Sequence, residues 1–144
     1  LHFCHFMHVD YGSNETGLHV VIAAGFFPAI SDLIKKGDCQ TSNKILQEAV
    51  RFITSLSLGE DESLIASDTE LLHALITIIR NSNEDEWGFH LKCDTIPVFG
   101  NLANISVEYC DKLLNEFHIY QLLHSELERL ESHLPTILQH DHNE

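Results

Sequence analysis

The chain has 144 residues, about the length of one domain, and 44% of them are hydrophobic, which is enough to fill a core. Its formal charge of −14 at pH 7, from 22 acidic and 8 basic residues, disfavours contact with nucleic acid and with anionic membrane surfaces. No apolar run approaches the roughly 20 residues needed to span a bilayer, and no signal-peptide pattern is present, so we expect a soluble protein.

The N-terminus and the cysteines give two further expectations. The chain begins with Leu1 and not with methionine, and residues 1–9 are already apolar and periodic, so we interpret the chain as a fragment of a longer protein. The four cysteines, at positions 4, 39, 93 and 110, form no close pair. Because a disulfide-bonded secreted domain has a higher cysteine density, we expect buried free thiols in a reducing compartment.

Three helices of increasing length are predicted between residues 16 and 59. The first, TGLHVVIAAG, ends at Gly25, because glycine accepts the left-handed backbone angles found just after a helix. The second, FFPAISDLIKKGD, ends at Gly37, and its apolar face is Phe27, Ile30, Leu33 and Ile34. The third, NKILQEAVRFITSLSLG, ends at Gly59. Its wide apolar face comprises Ile45, Leu46, Ala49, Phe52, Ile53 and Leu56.

The same order of short, medium and long helices recurs from residue 60. EDESLIASD is a short helix with an acidic first turn, and TELLHALITIIRN is a second helix capped by Asp68 or Thr69. The long third helix begins at about Glu84, and Pro97 inside it predicts a kink or break near residues 93–96. Its predicted buried stripe is Trp87, Leu91, Ile96, Phe99 and Leu102.

A third group of helices begins at SVEYCDKLLNEF and continues with HIYQLLHSELERLES. A separate last segment is predicted from HLPTILQ, and residues 140–144 are expected to be a disordered tail.

The groups repeat with a nearly constant period. Ala29 and Ala74 in the middle helices are 45 residues apart, and Ser55 and Asn101 in the long helices are 46 apart. A helical period of about 40–47 residues is typical of armadillo and HEAT arrays, whose units are stable only when stacked. We predict an all-α fold, a right-handed α-solenoid of three-helix repeats over residues 1–139. Its repeats span about 16–59 and 60–105, with partial repeats at 1–10 and 106–139; a single irregular helical bundle is the alternative.

Several segments resemble armadillo proteins of the importin-alpha type. Ala24 and Gly25 precede the second helix as an alanine–glycine pair does in that family, and QEAVRFITSLSLG and TIPVFGNLANIS are similar to its third helices. The resemblance covers about residues 16–131. It implies that the third helices line a concave groove, where tryptophan and asparagine side chains hold extended basic peptides.

Four residues are candidates for peptide binding on this basis. The groove asparagine corresponds by position to Ser55 in one repeat and to Asn101 in the next, and the groove tryptophan corresponds to Arg51 and Pro97. Arginine at a tryptophan position would repel a basic peptide. Trp87, near the start of the long helix, is a further candidate for anchoring a partner, with packing between repeats as the alternative.

The resemblance implies a non-enzymatic adaptor for nuclear import that binds basic localisation peptides or a transport receptor in the cytoplasm and nucleus. The alternative is an armadillo or HEAT scaffold in a signalling, cytoskeletal or assembly complex. We expect a protein or extended peptide as partner, and a basic one would complement the acidic surface. Nucleic acid, membranes, small-molecule substrates and cofactors are not expected.

The side chains raise two other hypotheses, a metal site and a catalytic cysteine. His2, His5, His8 and Cys4 have spacings of three and four that could reach a metal, and His140 and His142 form a second pair, but neither group supplies a compact set of ligands, so no metal site is expected. Cys93 lies near His90, yet a buried or half-buried helical cysteine without a glycine-rich turn predicts an inert thiol. No catalytic residue is expected.

Overall fold

The computed structural model describes residues 25–37, 43–59, 61–82 and 85–141, with side chains through residue 132. These residues form seven α-helices and no strand, which confirms the all-α prediction. The helices are α1 (Phe26–Lys35), α2 (Asn43–Ser57), α3 (Glu62–Ala66), α4 (Thr69–Asn81), α5 (Glu86–Ala103), α6 (Val107–Asn115) and α7 (Ile119–Asp141).

Short polar caps explain where three of the helices begin. The Asp68 carboxylate accepts a hydrogen bond from the Leu71 amide at 3.1 Å, so Asp68 and not Thr69 caps α4. Asp85 accepts from the Gly88 amide at 2.7 Å before α5, and Ser106 accepts from the Tyr109 amide at 3.0 Å before α6. Each cap satisfies a backbone donor that has no partner within its helix.

The predicted helix over residues 16–25 lies outside the described residues except for Gly25. Gly25 has a φ of 78°, the left-handed conformation that its predicted place after a helix requires. A side chain there would be strained by the backbone angle, even though the surrounding space is open.

Two long helices are continuous where the sequence predicts interruptions. Helix α5 runs without a break through Pro97, and α7 runs through Pro135 to Asp141, so the separate segment predicted from residue 133 is part of α7. Helix α7 also contains the first two residues of the predicted tail. A proline removes one backbone hydrogen bond, and in helices this long the remaining bonds and the packing of each helix outweigh that loss.

Two pairs of helices three apart in the chain lie side by side, α1 with α4 and α2 with α5. Each described helix also packs on its neighbours in the chain. Helices α2, α4 and α5 are therefore central, since each contacts both neighbours in the chain and one further helix.

The core follows most of the predicted apolar faces. Helix α2 buries Leu46, Ala49, Phe52, Ile53 and Leu56 as predicted, with Ile45 half-buried. Helix α1 buries Phe27, Ile30 and Ile34, with Leu33 half-buried. Opposite them, α4 contributes Leu71, Leu72, Leu75, Ile76 and Ile79. Each fully buried aliphatic or aromatic side chain stabilises the fold by about 1.5–3 kcal/mol relative to exposure.

Hydrogen bonds between side chains of α2 and α5 join residues with similar sequence separations. Gln47 Nε2 donates to Asp94 over 47 residues, Arg51 Nε to the same carboxylate over 43, and Asn101 Nδ2 to Ser57 Oγ over 44. The Tyr109 hydroxyl of α6 donates to the Ala66 carbonyl over 43 residues. These separations lie close to the period found in the sequence.

Candidate functional site

Trp87 lies in the first turn of α5 with 44% of its surface exposed, so the prediction that it belongs to the buried stripe is wrong. Phe99 and Leu102 are buried as predicted, and Leu91 and Ile96 are partly buried against the core. The buried line of α5 also includes Gly88, Thr95 and Val98. Trp87 is one residue, or about 100° of helix, away from this line. The indole therefore faces outward beside the packed helices.

Two cavities meet at Trp87. The larger, with a volume of about 390 Å³, lies among the C-terminal ends of α1 and α4 and the N-terminal ends of α2 and α5. The smaller, of about 280 Å³, lies between α2 and α5. It is lined by Gln47, Arg51, Glu86, Trp87 and His90. We call this smaller cavity and the exposed indole the Trp87 site.

More negative charge lies around the Trp87 site than the sequence suggests. Arg51 donates from Nε to Asp94 at 3.1 Å and from Nη1 to Glu48 at 3.2 Å, so two carboxylates face one guanidinium. Glu86 is largely exposed, with Oε1 at 3.8 Å from His90 Nε2. Arg51, Glu48, Asp94 and Glu86 together carry one positive and three negative charges. The repulsion of a basic peptide expected from Arg51 is therefore offset locally by its own partners.

The four predicted peptide-binding residues do not line one common site. Arg51 and Trp87 line the same cavity, whereas neither Asn101 nor Ser55 lines either of the two cavities at Trp87. Ser55 is buried, and the Asn101 amide donates to Ser57 Oγ at 2.8 Å across the contact between α2 and α5. One donor of Asn101 thus has a structural partner within the chain.

Three residues of the Trp87 site were not singled out as binding residues from the sequence: Gln47, Glu86 and His90. The sequence indicates only that these residues form two pairs on helix faces, because Gln47 and Arg51 are four residues apart on α2, and Glu86 and His90 are four apart on α5. Each pair shares one side of its helix. Only the side-by-side packing of α2 and α5 brings the two pairs to one cavity.

Cys93 does not have the environment of a nucleophile. It is exposed, which corrects the prediction that it is buried or half-buried; Cys110 is half-buried, and both are free thiols. Partial burial of the sulfur raises the pKa of the Cys93 thiol, and the neighbouring Asp94 charge raises it further. Both effects lower the fraction of reactive thiolate at neutral pH.

The metal candidates of the sequence fall largely outside the described residues. These include His2, Cys4, His5, His8 and His142, and the side chain of His140 is likewise not described. Among the described side chains, no group of three or more histidine, cysteine or carboxylate residues is arranged to hold a metal ion. Within the same part of the chain, no helix is both long and apolar enough to cross a membrane.

Comparisons of the chain with protein-family models, with curated proteins and with solved structures gave no match.

Proposed function

We propose that the chain is a non-enzymatic, protein-binding adaptor of stacked armadillo-like repeats that holds an extended basic peptide at the Trp87 site. The observation that carries the proposal is the half-exposed Trp87 indole, which lines both cavities next to the exposed Glu86 carboxylate, while the Arg51 guanidinium of the smaller cavity is paired with Glu48 and Asp94. An exposed aromatic ring beside a cavity is a common anchor for a protein partner.

The repeat architecture is supported by the order of contacts. Helices α1 and α4 pack together, as do α2 and α5, so two pairs of helices three places apart lie side by side. The hydrogen bonds between α2 and α5 span 40 to 47 residues, close to the sequence period. Stacked three-helix repeats would produce both patterns. In such a stack α2 and α5 are successive third helices, and the Trp87 site lies between them.

The chemistry of the site suits lysine or arginine side chains. The flat indole face of Trp87 can lie against an aliphatic stem and attract the cation at its end, a contact worth about 0.5–2 kcal/mol. Glu86 supplies an exposed carboxylate next to the ring. The net charge of −14 favours the approach of a basic peptide over a longer range.

An importin-alpha-type nuclear import adaptor, acting in the cytoplasm and nucleus, is the narrower form of this proposal. A scaffold for another protein assembly is the second candidate. The scaffold is favoured by Arg51 and Pro97 at the family's tryptophan positions and by the bond that holds Asn101 to Ser57. The two candidates differ in whether a short basic peptide binds on its own.

Calorimetry with the full chain tests the proposal. A short peptide rich in lysine and arginine should bind, and an equal-length peptide with glutamate in the basic positions should not. Trp87→Ala should weaken binding about tenfold or more, the loss expected for an aromatic anchor. Phe89→Ala is the matched control, because Phe89 is 48% exposed on the same helix and lines neither cavity. Equal affinity for both peptides, no binding of either, or an unchanged Trp87→Ala affinity would reject the proposed site.

A further inference from the structure

Helix α7 carries an exposed apolar stripe. Tyr120, Leu123, Leu127 and Leu130 recur at spacings of three and four, which places them within about a quarter of the helix circumference. Leu127 is 54% exposed, Leu130 is 42% exposed and Tyr120 is more exposed still, whereas Leu123 is half-buried against the core. We call these four residues the α7 stripe.

The α7 stripe differs from the equivalent surface of α4. Both helices follow a short helix in their group, but α4 is covered by α1 on one side and α5 on another. Among the described helices, only α6 packs extensively on α7. Neighbouring exposed leucines in an otherwise acidic surface mark an interaction site more often than isolated ones do.

A carboxylate already binds lysine at one edge of the stripe. Glu126 accepts from Lys92 Nζ of α5 at 2.8 Å and from Arg129 Nη1 at 2.7 Å. The Lys92 and Glu126 side chains are only 13% and 11% exposed, so a basic group from another helix reaches α7 and is held there away from solvent. Lys92 and Arg129 already neutralise Glu126, so the carboxylates open to an incoming lysine or arginine lie elsewhere on α7.

The opposite edge of the stripe carries exposed carboxylates. Glu131 lies next to Tyr120 around the helix, and Glu128 lies farther round on the same side. Both residues are exposed. His124, the nearest titratable group on this edge, is 3.7 Å from Glu128. Exposed carboxylates therefore border the apolar residues on this side, where the described part of α7 has no lysine or arginine.

We infer that the α7 stripe is a docking surface for an amphipathic helix of another protein, one whose apolar face is bordered by lysine or arginine. Charge complementarity selects this occupant over a second copy of the chain, because a second copy would place its own glutamates against Glu128 and Glu131 and brings a formal charge of −14. The apolar face of such a helix would cover Leu127 and Leu130, as helix-in-groove partners do. This surface is separate from the Trp87 site and does not depend on the proposed peptide binding.

The test uses the full chain and two synthetic helical peptides, each with leucines along one face. One peptide has lysines beside the leucines and the other has glutamates. Calorimetry should give at least about tenfold tighter binding of the lysine peptide. Leu127→Asp should weaken that binding at least tenfold, whereas Leu58→Asp, at another exposed leucine, should leave it unchanged.

A charge reversal keeps the test decisive if Leu127→Asp disturbs folding. Glu131→Lys, at an exposed position, should reduce the preference for the lysine peptide, and Leu58→Asp should not change it. Equal binding of both peptides, or binding insensitive to Leu127→Asp and to Glu131→Lys, would overturn the inference. It would also be overturned by sedimentation showing self-association that Leu127→Asp abolishes, since a second copy would then be the occupant.

Discussion

The Asp94 carboxylate of α5 accepts a hydrogen bond from Arg51 Nε of α2 at 3.1 Å. The same oxygen accepts from Gln47 Nε2 at 3.0 Å, and the Asp94 backbone carbonyl accepts from Thr54 Oγ1 at 2.7 Å. One residue of α5 therefore holds three side chains along α2. This link keeps the two helices in register beneath the Trp87 site.

Replacing Asp94 should weaken the contact between α2 and α5. Asp94→Ala removes two hydrogen bonds from partly buried donors, one of them charged, and should lower the free energy of unfolding by about 1–2 kcal/mol. Urea unfolding would measure the loss. Asp111→Ala on the exposed surface of α6 is the control and should change stability little; an equal effect of the two substitutions would contradict the role given to Asp94.

Asp68 should make stability depend on pH. Partial burial alone raises the pKa of the Asp68 carboxyl, but hydrogen bonds from Lys35, Ser31 and the Leu71 amide, with the Lys35 charge, outweigh it and hold the pKa below its ordinary value. Because the folded-state pKa is the lower one, the stabilisation is complete above the unfolded value near 4 and is lost as pH falls through the folded pKa.

Urea unfolding of the unmodified chain and of Asp68→Asn, from pH 7 down to pH 3, checks this dependence. The stability difference between the two should shrink as pH falls below about 4. Ser106→Ala removes the cap of α6 without removing a charge, and should cost about 1 kcal/mol at every pH. A difference for Asp68→Asn that stays constant with pH would show that the ion pair contributes nothing.

Pro97 should destabilise α5 relative to alanine at the same position. It is exposed within a continuous helix, where it leaves the Cys93 carbonyl without its usual backbone donor. Pro97→Ala should therefore raise the free energy of unfolding by about 1–3 kcal/mol. Pro28→Ala is the matched control, because Pro28 lies in the first turn of α1, where backbone N–H groups have no partner within the helix. Unchanged or lower stability of Pro97→Ala in thermal unfolding would contradict this account.

Asn101 remains the residue through which the importin-alpha form of the proposal can be tested. Asn101→Ala should weaken binding of an extended basic peptide if the long helix of the second full repeat lines the groove. Ser57→Ala removes the partner of Asn101 but keeps its amide, so it should not weaken binding. Calorimetry that finds unchanged affinity for Asn101→Ala would reject that placement and favour a scaffold.

Much of the helical fold could be predicted from local signals. Asp68 before an apolar run and Ser106 before the next helix are caps whose chemistry depends only on nearby backbone, so their helices begin where the sequence predicts. The apolar faces of α1 and α2 were predictable for the same reason, since helical spacing alone sets them. A break near Pro97 and a separate segment from residue 133 were wrong predictions, because a proline removes one bond while the packing of a long helix depends on many.

The candidate site was less predictable, because it depends on contacts between helices. Trp87 is exposed because the side of α5 that packs on the other helices is centred on Gly88, Thr95 and Phe99. The apolar residues of α5 alone did not distinguish this side from a neighbouring one that includes Trp87. The pairing of Arg51 with Asp94 joins residues 43 apart, and no local pattern indicates it. Arg51 was therefore expected to repel a basic peptide, whereas two carboxylates balance its charge.

The fluorescence of Trp87 shows whether a basic peptide binds at this residue. Trp87 is the only tryptophan in the chain, so its emission reports on this site alone. Titration with a lysine- and arginine-rich peptide should produce a saturable blue shift as the half-exposed indole is covered, and the glutamate peptide should produce none. Emission that stays unchanged at saturating basic peptide, or that shifts equally with both peptides, would contradict the account.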